Sequence, residues 1–145
     1  MPKGISFELA GDAIIEMAGK LIDANHEHLS AAKIVYLFQE KATVSKGKAI
    51  AGKAVKPNKR EQFLHGWDFE IILAEDIWSI LNEGQRLYVL DHELRHCIMN
   101  DKGSWDLAPH DYEDFRDILE RHKDVAIGMD NILAKYLNER NAIEE

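Results

Sequence analysis

The spacing of apolar positions changes several times along the chain, and each change marks an element. In "GDAIIEMAGKLIDAN", Ile14, Ile15, Met17, Ala18, Leu21 and Ile22 recur at helical spacing, with Asp12 in the place of an N-cap. "AAKIVYLFQ" is a short β-branched and aromatic run, which predicts a buried strand. Residues 41–60 alternate loosely at Ala49, Ala51 and Ala54 and contain Gly47, Gly52 and Pro57, so weak strands joined by turns are expected. "WDFEIILAED" alternates more clearly, with Phe69, Ile71 and Leu73 on one side, and reads as another strand.

Farther on, Asn82 is followed three residues later by Gln85, the spacing of a capping box, so a helix is predicted from about Glu83. Leu87, Leu90, Leu94 and Ile98 give it one apolar stripe. Turn signals at Asp101–Gly103 and Pro109 predict a short hairpin, and "HDYEDFRDILERH" opens a helix with acids in its first turn. A last helix carries Val125, Ile132, Leu133, Tyr136 and Leu137. One helix, several strands and then helices predict an α+β fold with a small antiparallel or mixed sheet, in a single domain over residues 1–145.

Composition narrows the class. At 145 residues, 46% hydrophobic and 30% charged, the chain fits one soluble globular domain. It has no run of 18 apolar residues that could span a membrane, and "MPKGISFELAGDAIIE" lacks the pattern of a signal peptide. A single cysteine, Cys97, excludes an internal disulfide framework and fits a reducing compartment, so a cytoplasmic location is expected.

The net charge of −8 is unevenly spread. Residues 41–60 hold seven Lys and Arg and no acid, which leaves 11 basic against 26 acidic residues elsewhere, a balance of −15. A solvated basic hairpin is the plain interpretation. The other is a weak, salt-sensitive nucleic-acid contact through this segment.

The chemistry concentrates in "YVLDHELRHCIMND", where His92, Glu93 and His96 form H-E-x-x-H. On a helix, positions four apart differ by about 40° in azimuth, so His92 and His96 can offer two imidazole nitrogens to one ion. Glu93 is turned about 100° from His92, beside that ion and within reach of a water. With 7 His and 14 Glu, the pattern arises by chance in roughly 3% of such chains, so alone it is suggestive. Taking Leu87 as zero, the two histidines lie near 140° and 180°, away from the leucine stripe. That fits solvated histidines, and fits equally a helix whose front floors a cleft. A catalytic zinc needs a third ligand, and His110 lies 14 residues after His96, beyond the hairpin, with Asp111, Glu113 and Asp114 as substitutes. Asp111 is also read as a partner that orients His110 or as a helix cap. His26, His28, His65 and His122 are expected at the surface, and Trp78, Tyr88, Trp105, Phe115 and Cys97 in the core.

"WSILNEGQRLYVLDHELRHC" followed by "LAPHDYEDF" resembles the putative phage metallopeptidase family, which pairs an H-E-L-x-H helix with a short hairpin and a P-H-D helix start. The resemblance covers roughly residues 30–122 and leaves 123–145 as a C-terminal helical extension. It implies a minimal zincin-like fold related to SprT-like proteins, and location in a host cytoplasm. By motif it places zinc on His92, His96 and His110, with Glu93 as general base in peptide hydrolysis. Arg95 stands where that helix usually has a smaller residue; its azimuth of about 80° directs it sideways. A peptide substrate is expected to pair along the strand "DFEIILA", read as a sheet edge. The rival function is a non-catalytic binding module whose metal site is structural, recruited to nucleic acid through residues 41–60.

Overall fold

The computed structural model describes residues 5–109 and 116–144. The elements follow as β1 (Phe7–Leu9), α1 (Asp12–Asn25), a 3-10 turn (Glu27–Ala31), β2 (Ile34–Gln39), the hairpin β3 (Val44–Ser45) and β4 (Lys48–Ala49), and β5 (Gly52–Val55). Next come α2 (Lys59–His65), β6 (Phe69–Ala74), α3 (Glu75–Trp78), α4 (Glu83–Arg95), the hairpin β7 (Cys97–Met99) and β8 (Trp105–Leu107), α5 (Arg116–Arg121) and α6 (Lys123–Glu144). The fold is mixed α+β, as the order of patterns predicts. No helix among the described residues is long and apolar enough to cross a membrane.

The main sheet has the order β1-β2-β6-β5. β2 and β6 run parallel, with Tyr36 opposite Ile71, while β1 and β5 pair antiparallel on the outside. Phe69, Ile71 and Leu73 point into one core with Ile14, Ala18 and Leu21 of α1 and Val89, Leu90 and Leu94 of α4. Ile72, on the opposite face of β6, is buried outside that core.

The expectation that "DFEIILA" is an edge is wrong. β6 lies between β2 and β5, and every residue of it except Glu70 is buried. A strand covered on both faces carries a near-continuous apolar run, and Ile71-Ile72-Leu73-Ala74 is one. The edge on this side is β5, inside the basic segment; among the described residues no strand pairs with its outer side.

Capping explains several boundaries. Asn82 Oδ1 accepts from the Gln85 N–H at 2.9 Å, and Gln85 Oε1 accepts from the Asn82 N–H at 2.8 Å, which starts α4 where the sequence places it. α1 differs: its N-cap is Gly11, at φ 89°, and Asp12 is the first helical residue, where a carboxylate favours the helix dipole. α6 is tied across the molecule by the Tyr136 hydroxyl, which donates to Asp76, and by Arg140, which donates to the Ala42 carbonyl at 2.8 Å.

Candidate metal centre

α4 buries Val89, Leu90, Asp91, Glu93 and Leu94. His92 and His96 stay half-buried on the remaining side, and their rings meet edge to face with centroids 5.2 Å apart. They are therefore not freely solvated. Potential ligand atoms of His92, Glu93 and His96 all lie within 4.8 Å of one another.

Glu93 is 7% exposed; its stem passes the sheet at Gly52, the first residue of β5, while a carboxylate oxygen stays within 4.8 Å of the imidazole nitrogens. A Cβ on Gly52 would lie 3.3 Å from Glu93 Cγ, from the Ile72 carbonyl oxygen and from Leu73 Cδ2, so any larger residue there would press on the carboxylate's stem and on β6.

The residue that follows the hairpin grips His96. The Ala108 N–H donates to the His96 carbonyl at 2.7 Å, and His96 Nδ1 lies 2.6 Å from the Ala108 carbonyl. A carbonyl oxygen can only accept, so Nδ1 carries the proton and Nε2 keeps its lone pair for a metal. The donor set thus fits a zinc site: two imidazoles on one helix face and a carboxylate at their side. His110, Asp111, Glu113, Asp114 and Phe115 lie outside the described residues.

Arg95 points sideways, as its azimuth predicts, and its Nε lies 3.1 Å from Asp117 of α5. Cys97 is fully buried; burial, and then the nearby Glu93 charge, push its thiol up to about 12. Trp78 is in the core, Trp105 packs edge-on against Phe69, and Tyr88 sets its ring against both His92 and His122.

Two histidines expected at the surface are not there. His26 is 1% exposed and donates Nε2 to Asp91 Oδ1 at 2.5 Å. His122 is half-buried and donates Nε2 to Asp91 Oδ2 at 2.8 Å, beside Arg121 Nε at 2.9 Å. Burial pushes the Asp91 carboxyl up, but the hydrogen bonds from His26, Arg121 and His122 outweigh it and hold the group below the usual carboxylate range. Asp91 therefore locks the metal-site helix to the end of α1 and to the junction of α5 and α6. His28 is exposed yet reaches the Cys97 carbonyl at 2.9 Å, and His65 is exposed as expected.

The model of the putative phage metallopeptidase family matches residues 7–138. The chain belongs to that family. The match runs well beyond the stretch 30–122 that carries the motif resemblance, taking in α1 and most of α6. No curated protein and no solved structure matches the chain. Membership of a metallopeptidase family agrees with a metal site on α4, whose first, second and fifth motif positions are the three residues brought together here.

Proposed function

We propose that the chain is a zinc-dependent, zincin-like peptidase that cleaves a protein or peptide in the host cytoplasm. The observation that carries this reading is the convergence of His92, Glu93 and His96, with the carboxylate buried beside an edge strand. His92 and His96 hold the zinc, and His110 completes the set. Ala108 is pinned to His96 by two hydrogen bonds, and the two residues from there to His110 can span at most about 7 Å.

A zinc ion in this position supplies Lewis acidity, which polarises a carbonyl and acidifies a water. Glu93 accepts the proton of the attacking water and returns it to the leaving amine. Its burial keeps bulk water from competing for that proton. The outer edge of β5, which begins at Gly52 beside Glu93, presents the backbone groups that an extended peptide would pair with. A purely structural site has no use for a buried carboxylate next to its ligands, which favours catalysis over the binding-module reading.

Zinc content and cleavage of a peptide mixture, both followed by mass spectrometry, test the proposal. Wild type should carry about one zinc per chain and cleave; His110→Ala should lose most of the metal. A fully occupied His110→Ala protein would transfer the third position to Asp111 or Glu113. A protein that takes up no zinc would overturn the reading.

A further inference from the structure

We infer that the groove between α2 and the tip of the β7–β8 hairpin is a specificity subsite for acidic side chains of an extended peptide. The groove has a volume of about 310 Å3 and is walled by Lys56, Lys59, Gln62 and Asp68 on one side and by Ser104 and Trp105 on the other. The inference rests on the peptidase reading in taking the free edge of β5 as the place where the peptide lies.

Both walls lead back to the metal centre. β5 starts at Gly52, against Glu93, and ends one residue before Lys56. β8 ends one residue before Ala108, which holds His96, and begins at Trp105, next to Ser104. Each path covers four residues of extended or near-extended chain, about 13 Å at 3.3 Å per residue. Two independent segments thus give the same separation between metal site and groove. A peptide pairing antiparallel with β5 would run its N-terminal part toward Lys56. The groove would then receive a side chain about four residues on the N-terminal side of the scissile bond.

Charge decides what that side chain is. Lys56 and Lys59 are exposed, and neither forms an ion pair with a described residue. Asp68 is the one acid on the wall, and its oxygens are already engaged: Oδ2 accepts from the Lys33 N–H at 2.8 Å and Oδ1 from Gln62 Nε2 at 2.6 Å. Two ammonium groups thus stand against one carboxylate on this wall, a net positive charge, with the half-buried Trp105 ring as an apolar side. A carboxylate on a short aliphatic stem, Asp or Glu, matches both.

Binding to the zinc-loaded Glu93→Gln protein tests this without requiring hydrolysis. Alanine peptides of about ten residues, labelled at the C-terminus and carrying a Glu-Glu, Gln-Gln or Lys-Lys pair near the N-terminus, are titrated by fluorescence anisotropy. The Glu-Glu peptide should bind about tenfold more tightly than Gln-Gln at low salt, with the margin shrinking as salt rises. Lys56→Glu with Lys59→Glu should invert the order in favour of Lys-Lys; both positions are exposed, so the fold tolerates the change. Equal binding of the three peptides, or an order that survives the charge reversal, overturns the subsite while leaving the cleavage assay to judge the peptidase reading. Tighter binding of a single-stranded oligonucleotide than of the Glu-Glu peptide also overturns it, in favour of a nucleic-acid groove.

Discussion

Ala108 and His96 hold each other twice, by a backbone hydrogen bond of 2.7 Å and by a ring-to-carbonyl contact of 2.6 Å. The pair joins the end of the hairpin to the end of the metal-site helix and sets which imidazole nitrogen is left for a metal. Ala108→Pro removes the N–H and one of the two links. We predict that zinc affinity then falls about tenfold, the lower end of what disturbed partners of metal ligands cost. Competition with a chromophoric chelator measures it, and an unchanged affinity would remove the clamp from the account.

Asp91 supports the same helix from its buried side. We predict that Asp91→Ala lowers unfolding stability by roughly 3–5 kcal/mol, because Arg121 and two histidines lose their shared acceptor. Chemical denaturation of the zinc-free protein reads it directly. A change below about 0.5 kcal/mol, typical of a surface site, would contradict the burial of the network.

The same carboxylate sets a pH dependence. Its folded-state pKa lies below the unfolded value, so its contribution is complete above the usual carboxylate pKa near 4 and is lost as pH falls toward the folded value. Zinc-free wild type should therefore lose stability steadily below about pH 4, and Asp91→Ala should lose less over that range. Parallel stability curves for the two proteins would refute the assignment.

Much of the candidate site was readable from local pattern. His92, Glu93 and His96 sit on one helix, so 3.6-residue periodicity alone fixes their relative directions, and the Asn82–Gln85 box fixes where that helix starts. What escaped depends on contacts remote in sequence. Asp91 meets His26 across 65 positions and His122 across 31, and no local rule links them. One signal existed: at about 40° on the wheel, Asp91 borders the leucine stripe, so its burial could have been anticipated. The edge strand was misassigned because Phe69, Ile71 and Leu73 alternate well enough to hide the burial of Ile72 on the other face. α2 was missed although its own capping box, Asn58 with Glu61, is written in the sequence, since the Gly and Pro content of residues 41–60 pointed to turns.

The close approach of β5 to Glu93 gives a further prediction. Gly52→Val places a branched side chain where even a Cβ stands at 3.3 Å from three atoms. Overpacking of this kind costs about 1–3 kcal/mol, and here it falls on the carboxylate and the edge strand together. Turnover should drop by at least about tenfold while zinc content stays at wild-type level. Full activity in this variant would mean that β5 and Glu93 are not coupled.

The most direct test is the rate of peptide cleavage by Glu93→Gln measured beside its zinc content. The amide keeps the size of the side chain but cannot take a proton from water, and loss of a general base typically costs about 10²–10⁴-fold in rate. We predict zinc occupancy equal to wild type with cleavage reduced by at least about 100-fold. A zinc-loaded variant that cleaves as fast as wild type would contradict the role of Glu93 as the base.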